Sequence, residues 1–385
     1  MSSLYLHIPY CEHKCIYCDF YSIESLSSTD SFLSALRREI AMYGGVGENE
    51  RFETVFFGGG TPSLLAPETI GGLLELLYKT FAVESNAEIT LESNPGTVDR
   101  AKLEGYRAAG INRLSFGVQS FHDDDLKFLT RIHSSKQARQ AVRLAKESGF
   151  NNINVDLIFS LPGQTMQRWE ENLREAVALE TPHISAYSLI VEKGTPLGHM
   201  VSAKQIAPLP VEEEADMYEF TMQYLHAAGF EHYEVSNYAK PGFRSIHNNN
   251  YWNHSNYLGF GPSAHSFREG RRWWNVRSIE AYCEKLSANT LPVAGEEFLT
   301  HDQRVEEVVM LGLRSAGIDL PGLAVDFGVD LTALEGPMIG HLLRDGLAEL
   351  VEDRLLRLTD KGFLLCDEIA RRLLSNVHPV PVTPE

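Results

Sequence analysis

Residues 4–21 read LYLHIPYCEHKCIYCDFY. The segment Leu4–Ile8 has the apolar and aromatic composition of a short, largely buried strand. Three cysteines follow it at once, Cys11, Cys15 and Cys18, with the spacing C-x3-C-x2-C. We therefore expect a strand that ends in a single loop carrying three thiols.

The three thiols of this loop predict a metal centre. The chain has 5 cysteines, and an odd number without a secretion signal argues against a disulfide framework. Cys283 and Cys366 lie in apolar, helix-like surroundings and are predicted to be buried as small hydrophobic residues. Three thiolates on one loop can hold three irons of a [4Fe–4S] cluster and leave the fourth iron open to a small ligand. The alternative is a structural zinc site in which His7 or His13 is the fourth ligand.

Length and charge exclude several classes of protein. At roughly 100–200 residues per domain, 385 residues suggest two or three folded units. A formal net charge of −18 disfavours general binding to nucleic-acid backbones or to anionic membrane surfaces. No apolar stretch approaches the ~20 residues of a membrane-spanning helix, and Met1–Tyr10 lacks the features of a secretion signal. We expect a cytoplasmic protein without a membrane segment, which contacts a membrane only transiently through a partner.

Strand and helix patterns alternate from the N-terminus to about residue 190, and a glycine follows two of the helices, at Gly110 and Gly149. Repeated βα units imply a parallel sheet with right-handed crossovers. Six units predict an α/β fold, either an incomplete TIM-like (β/α)6 barrel or a doubly wound sheet, and in both the ligands bind at the carboxyl ends of the strands. The predicted strands are Leu4–Ile8, Thr54–Phe57, Glu88–Glu92, Arg113–Gly117, Ile153–Ile158 and His183–Leu189, and the predicted helices lie near Asp30–Tyr43, Pro67–Tyr78, Asp99–Ala109, Lys136–Ser148 and Gln167–Leu179.

The remaining sequence divides into two parts, so that the predicted domains are 1–195, 196–300 and 301–385. The middle part contains a connector with an acidic helix and a stretch from Glu231 to Trp274, rich in aromatic residues and Asn, that we predict to be loops. The last part follows a helix, helix, hairpin, helix pattern, which predicts a winged-helix-like α+β domain. Its 8 Lys and Arg against 15 Asp and Glu give a net charge of −7. This charge favours a docking or lid module over a DNA-binding one.

Several polar or glycine-rich segments lie at the ends of the predicted strands. Residues 56–62 read FFGGGTP, and glycines at such a turn let the backbone approach a ligand closely. Glu92 ends the third strand and suits hydroxyl or ammonium groups, whereas the fork of Arg131 suits a carboxylate. Asp156 lies within an apolar strand, where an unpartnered charge is costly. Because these residues fall at one face of one sheet, they indicate a ligand site more strongly together than singly.

The cysteine loop, with Tyr17 before its third cysteine, resembles the radical S-adenosylmethionine (SAM) superfamily. The preceding residues, YLHIPY at positions 5–10, resemble the branch that contains the oxygen-independent coproporphyrinogen III dehydrogenases and the HemW-type heme chaperones. The resemblance extends over nearly the whole chain, and it implies a radical SAM barrel with a [4Fe–4S] cluster on the three cysteines and SAM on the open iron. The positions that correspond to SAM contacts are Tyr5, Tyr17, Gly59, Gly60, Thr61, Glu92, Gln119, Arg131 and Asp156.

Two departures separate this chain from the dehydrogenases. Those enzymes have a fourth cysteine two positions after the third, where this chain has Phe20, and a long N-terminal extension, whereas ten residues precede Cys11 here. Residues 247–252, HNNNYW, resemble the HNxxYW motif of the chaperone branch. Heme iron needs an axial ligand, for which His247 is the candidate and His254 and His265 are alternatives. An equally weighted interpretation is that His247 organises its loop by hydrogen bonding.

The resemblance therefore implies a heme chaperone that carries a [4Fe–4S] cluster and SAM and passes heme to apo-hemoproteins such as those of the respiratory chain. The alternative is an oxygen-independent coproporphyrinogen III dehydrogenase of porphyrin biosynthesis, with His7 as candidate proton donor. A third hypothesis, a radical enzyme that modifies nucleic acids, is disfavoured by the acidic C-terminal part. The sequence leaves open whether the chain is an enzyme that cleaves SAM, whether it forms a homodimer, and which electron donor it uses.

Overall fold

The computed structural model describes residues 2–46 and 50–375. Its central sheet contains six parallel strands that lie side by side in chain order, as the βα pattern predicts. The first of them is buried on both faces, which is typical of a strand inside a parallel sheet. The strands are β1 (Ser2–Ile8), β2 (Arg51–Gly59), β3 (Ala82–Ser93), β4 (Arg113–Gln119), β5 (Asn152–Phe159) and β6 (His183–Ser188).

Six helices connect these strands, and five of them match predicted helices. Two end as expected: Gly110 and Gly149 both have positive φ angles, 108° and 87°, which glycine adopts without strain. The helix without a predicted counterpart is α4, whose six residues are too few to show an amphipathic period. The helices are α1 (Thr29–Met42), α2 (Pro67–Thr80), α3 (Arg100–Ala109), α4 (Asp123–Phe128), α5 (Ser135–Glu147) and α6 (Met166–Ala178).

The stretch from Glu231 to Trp274 is folded into strands and a helix, so the prediction of loops is wrong there. Its strands have only three to five residues, too few for a recognisable period of two, and they are fixed by pairing with distant strands. The elements of residues 196–300 are α7 (Pro196–Ser202), α8 (Val211–Ala227), β7 (Glu231–Glu234), β8 (Asn237–Ala239), α9 (Ile246–Trp252), β9 (Tyr257–Phe260), β10 (His265–Arg268), β11 (Arg271–Asn275), α10 (Ile279–Ser287) and β12 (Val293–Phe298).

These short strands extend the six-stranded sheet at both edges. β9 pairs in parallel with β1, and β8 pairs antiparallel with β6. The resulting sheet has 12 strands in the order β12-β11-β10-β9-β1-β2-β3-β4-β5-β6-β8-β7. Residues 1–195 and 196–300 thus contribute to one sheet, and the predicted domain boundaries at 195 and 300 stay a prediction.

The C-terminal part has three helices before its hairpin instead of the two expected. The third of these helices bends at Glu335, two residues before Pro337, which has no N–H to donate. The elements are α11 (His301–Leu313), β13 (Ile318–Asp319), α12 (Leu320–Phe327), α13 (Leu331–Arg344), β14 (Ala348–Val351), β15 (Leu355–Leu358), α14 (Asp360–Phe363) and α15 (Cys366–Leu374). None of the helices in the described chain has the length and apolar character needed to cross a membrane.

Candidate functional site

The cysteine loop leaves the carboxyl end of β1 and returns against its own start. The backbone N–H of Cys11 donates to the carbonyl of Ile23 at 2.9 Å, and the N–H of Ile23 donates to the carbonyl of Pro9 at 2.8 Å. Within this closed loop the N–H of Cys18 donates to the carbonyl of Cys15, which forms a turn between the last two thiols. All three thiols are free; Cys11 and Cys15 are buried and Cys18 is half-buried. The loop therefore holds three unpaired thiols in a fixed backbone.

Two of the predicted SAM-contacting residues reach the sulfur atoms themselves. Thr61 Oγ1 donates to Cys11 Sγ at 3.6 Å, and Arg131 Nη1 donates to Cys15 Sγ at 3.5 Å. Arg131 is further held by a bond from Nη2 to the carbonyl of Gly117 at 2.6 Å. These two hydrogen bonds hold the sulfur atoms of Cys11 and Cys15 in place within the loop.

Arg131 also has an unused donor. Its Nε is buried and makes no hydrogen bond to any described residue. A side chain on Gly117 would come within 3.0 Å of Gln119 Nε2 and 3.1 Å of Arg131 Nη2, so glycine at this position leaves room for both. Gln119 itself adopts a φ of 69° at the end of β4, which turns the chain towards α4. An anionic group at this point would satisfy the free Nε–H.

Two carboxyl groups, Glu92 near the end of β3 and Asp156 within β5, are close enough to interact electrostatically. Glu92 Oε2 accepts from the N–H of Gly59 at 3.2 Å, and Asp156 Oδ1 accepts from Asn154 Nδ2 at 2.6 Å. Burial, and then the charge of Asp156, raises the pKa of Glu92 to about 8. Burial also raises the pKa of Asp156. A cationic ligand placed between them would offset this repulsion.

The raised pKa of Glu92 makes stability depend on pH. In the unfolded chain this carboxyl ionises near pH 4.5, whereas in the fold it keeps its proton up to about pH 8. Its contribution to stability is therefore complete below pH 4.5 and is lost as the pH rises towards 8. For the ligand-free protein we expect the free energy of unfolding of Glu92→Gln, relative to the parent chain, to increase by about 1 kcal/mol per pH unit across this window.

Urea denaturation at several pH values between 5 and 8 measures this difference. Glu75→Gln is the matched control, because Glu75 is an exposed carboxylate on α2. Parallel pH curves for the parent chain and Glu92→Gln would contradict the raised pKa of Glu92.

The FFGGGTP turn packs directly against the start of the cysteine loop. Gly59 has a φ of 103°, and a Cβ there would lie 2.5 Å from the imidazole of His7. A Cβ on Gly60 would lie 2.6 Å from the carbonyl oxygen of Tyr10. The N–H of Gly60 donates to the carbonyl of Ile8, and that of Thr61 donates to the carbonyl of Tyr10. The glycines are thus required for close packing of the two segments, beside any contact with a ligand.

The two predicted tyrosines lie on either side of this site. Tyr5 points from β1, with its ring stacked on Phe56 at 6.1 Å, and its hydroxyl is 3.1 Å from His7 Nδ1. Tyr17 is half-buried beside Arg131 and Cys15, and desolvation of its hydroxyl raises its pKa. Seven of the nine predicted residues thus lie at or beyond the carboxyl ends of strands, whereas Tyr5 and Asp156 lie within β1 and β5. Contact of the nine residues with SAM remains a prediction.

The histidines near the loop already have partners. His7 Nε2 lies 2.8 Å from the carbonyl oxygen of Tyr21, and burial lowers the pKa of His7 to about 4. His13 Nδ1 lies 3.0 Å from Glu24 Oε1. Within residues 2–46 and 50–375, no three His, Cys, Asp or Glu side chains are arranged around a point that could hold a single metal ion. A cluster with one iron per thiol does not need such a common point.

A buried polar layer below Asp156 was missed in the sequence. Asn154 bonds Asp156, and its Oδ1 is 2.6 Å from His183 Nδ1. His183 Nε2 is in turn 2.7 Å from the hydroxyl of Tyr233. These residues orient the Asp156 carboxylate. The signal was the alternation of polar and apolar residues along β5, where Asn152, Asn154 and Asp156 are two positions apart.

His247 is on α9, and only 1% of its surface is exposed. Its Nδ1 is 2.7 Å from Thr54 Oγ1, and its Nε2 is 3.0 Å from the hydroxyl of Tyr251. Its ring stacks on Phe56 with centroids 4.8 Å apart. Iron ligation by His247 would therefore break one of these two hydrogen bonds. The geometry agrees with the alternative that His247 organises its segment.

Replacement of His247 by alanine is expected to destabilise the fold. The variant leaves the hydroxyls of Thr54 and Tyr251 without partners, which should lower the free energy of unfolding by about 1–3 kcal/mol. Chemical denaturation measures this loss. His265→Ala is the control, since His265 is exposed on β10 and its replacement should change stability by less than about 0.5 kcal/mol. Equal effects in the two variants would contradict the structural role of His247.

A parallel α/β sheet whose first strand ends in a C-x3-C-x2-C loop defines a radical SAM protein. The family model described as Radical SAM superfamily matches residues 5–176, and that of the HemN C-terminal domain matches residues 299–365. The chain is 37% identical over 373 residues to heme chaperone HemW of Bacillus subtilis, covering 96% of this chain and 98% of that protein. The chain belongs to the HemW family, which confirms the resemblance seen in the sequence.

Two further comparisons agree with this family. Heme chaperone HemW of Mycobacterium tuberculosis (strain CDC 1551 / Oshkosh) is 38% identical over 376 residues, which cover 96% of this chain and 94% of that protein. The solved structure of coproporphyrinogen III oxidase (HemN) from Escherichia coli, a radical SAM enzyme, matches 97% of this chain and 89% of that one. The TM-score is 0.82 at 24% sequence identity, which confirms the fold.

Proposed function

We propose that this protein is a heme chaperone that binds heme and transfers it to apo-hemoproteins, such as those of the respiratory chain. The observation that carries the proposal is the 37% identity over 96% of the chain to a protein named for this activity. A second observation concerns the fourth cysteine of the related dehydrogenases. Its position holds Phe20, whose side chain is 69% exposed and cannot ligate iron.

The carboxyl-end site fits a [4Fe–4S] cluster and SAM as resident cofactors. Cys11, Cys15 and Cys18 would hold three irons, and the fourth iron would be open to the amine and carboxylate of SAM. In the chemistry of the superfamily, a reduced cluster of this kind would supply one electron to the sulfonium of SAM, and the proposed chaperone function does not depend on that cleavage. The cluster and SAM would then connect the cysteine loop with the residues at the ends of the other strands.

The protein side chains around this position have complementary charges. Thr61 and Arg131 donate hydrogen bonds to two of the sulfur atoms and so orient them. The free Nε–H of Arg131 suits a carboxylate, and the neighbouring carboxyl groups of Glu92 and Asp156 suit an ammonium, a sulfonium or ribose hydroxyls. With a cationic ligand in place, Glu92 would lose its proton more readily.

The proposal also covers the location of the protein, its oligomeric state and its partners. We place it in the cytoplasm, with membrane contact only through an acceptor. We treat a homodimer as the form to test by light scattering. The net charge of −18 argues against nucleic acid as a partner.

One anaerobic experiment tests the function and its alternative. The cluster is reconstituted, and one sample is titrated with hemin while a second receives SAM, reductant and coproporphyrinogen III. Stoichiometric hemin binding, followed by transfer to an apo-hemoprotein, is the expected result. Formation of protoporphyrinogen in the second sample would instead establish a coproporphyrinogen III dehydrogenase.

A further inference from the structure

A cleft of about 560 Å³ lies between the aromatic segment that follows β8 and the first C-terminal helix, α11. This volume is within the roughly 300–1,000 Å³ of small-molecule sites in proteins. None of its lining side chains belongs to the cysteine loop. They are Tyr251, Trp252, His254, Ser255, Tyr257, Phe267, Arg272, Glu307, Met310, Leu311 and Arg314.

Aromatic side chains form one side of the cleft. Tyr251 and Tyr257 meet edge to face at 4.8 Å, and Phe267 lies 4.4 Å from the ring of His254. Trp252 is half-buried, so part of its ring remains open to the cleft. Met310 and Leu311 of α11 line the opposite side and are also half-buried. Flat apolar ligands pack well between walls of this kind.

The cleft and the carboxyl-end site share one residue of the HNNNYW segment. Tyr251 lines the cleft, and its hydroxyl shares a hydrogen bond with His247. The pKa of Tyr251 is raised mainly by burial and further by the nearby Tyr257 and Glu92. His247 thus positions the ring of Tyr251, which lies between the two sites. Two residues of the HNNNYW segment, Tyr251 and Trp252, line the cleft.

One imidazole of the cleft has the surroundings of a metal ligand. His254 Nε2 is 2.8 Å from Glu307 Oε2, whereas its Nδ1 makes no hydrogen bond to any described residue. A carboxylate on one ring nitrogen orients the imidazole and increases the basicity of the other nitrogen. His254 also has a φ of 54°, an uncommon conformation for a non-glycine residue. The loop therefore holds this ring against the cleft at some conformational cost.

Of the two arginines that line the cleft, Arg314 is the one available to an acidic ligand. Arg272 is paired with Glu307 at 2.8 Å and with Glu297 at 3.0 Å. Arg314 pairs at 2.6 Å with Asp367, and their side chains are 23% and 84% exposed. Arg314 Nη1 also donates to the carbonyl of Met310 at 3.3 Å. Because Asp367 is largely solvated, its pairing contributes little, and a ligand carboxylate can replace it on Nη2 of Arg314.

We propose that this cleft is where heme binds, with His254 as axial ligand, the macrocycle between Trp252 and α11, and a propionate on Arg314. The inference rests on the proposed chaperone function and assigns its cargo a place apart from the cysteine loop. The iron–imidazole bond forms at Nδ1 and replaces a solvent-derived ligand of hemin, without a change of oxidation state.

Anaerobic hemin titration of the reconstituted full chain, followed by absorption and electron paramagnetic resonance spectra, tests this assignment. In His254→Ala we expect the dissociation constant to rise at least about tenfold and the absorption and paramagnetic resonance spectra of imidazole-ligated hemin to be lost. Leu311→Trp fills the cleft without touching the histidine and should also weaken binding. His199→Ala, at an exposed histidine of α7 outside the cleft, is the matched control and should bind as the parent chain does. Thermal unfolding and cluster absorbance confirm that each variant is folded.

The outcomes separate this inference from the function on which it rests. If the parent chain, His254→Ala and Leu311→Trp all bind hemin with the same affinity and spectra, heme lies elsewhere and the inference is wrong, while the chaperone function stands. If the parent chain does not bind hemin at all, the proposed function itself fails. Because the two variants act by different means, misfolding of one leaves the other as a test.

Discussion

The Cys15→Ala variant is expected to leave anaerobic reconstitution colourless, whereas the parent chain should take up about four irons and four acid-labile sulfides. Its sulfur is buried and accepts a hydrogen bond from Arg131, so no other thiol can take its place. With two thiolates left on the loop, one further iron would be exposed to solvent. Iron and sulfide analysis, together with the visible absorption spectrum, measures the loss.

Cys366→Ala is the control for this experiment, since it removes a buried thiol from α15 and leaves the loop intact. Its iron content should equal that of the parent chain. The cluster assignment would be contradicted by a parent chain that binds a single zinc and no sulfide, because three cysteines with a fourth protein ligand would then form a structural zinc site.

Gly60→Ala should cost about 3–5 kcal/mol in the free energy of unfolding, a large effect for the addition of one methyl group. Its Cβ would lie 2.6 Å from the carbonyl oxygen of Tyr10 and 2.8 Å from that of Ile8. Both oxygens are backbone atoms. The hydrogen bond from the Gly60 N–H to the carbonyl of Ile8 fixes the distance between the two segments. Because Tyr10 directly precedes Cys11, the displaced backbone should also lower the iron content.

Urea denaturation of Gly60→Ala and Gly71→Ala separates this clash from a general effect of replacing glycine. Gly71 is on α2, where an added Cβ would have its nearest neighbour at 3.5 Å, an ordinary contact. Alanine should stabilise the helix there by up to about 1 kcal/mol. Equal destabilisation of the two variants would contradict the explanation by a clash between the added Cβ and the backbone of Ile8 and Tyr10.

The central part of the fold could be predicted because its strands are long apolar runs separated by amphipathic helices. The strands after β6 could not, because each has three to five residues and is stabilised by pairing across the sheet, as β9 is by β1. Local periodicity carries no information on such partners.

The candidate site shows the same division. The thiols and their spacing are visible in the sequence, but the hydrogen bond from Arg131 to Cys15 joins residues 116 positions apart. The family resemblance indicated that Arg131 belongs to the site and did not reveal this contact. His247 looked like an iron ligand because its partners, Thr54 and Tyr251, become visible only in the folded chain.

The position of β1 between β2 and β9 has a consequence for how the protein is made. The cysteine loop leaves the ribosome well before Tyr257–Phe260, so β1 lacks one neighbour until that later segment has been synthesised. At elongation rates of about 5–20 residues per second, this interval lasts roughly 10–50 s. During that time the thiols would be open to oxidation and to stray metal ions, so delivery of iron and sulfide should follow the completion of translation.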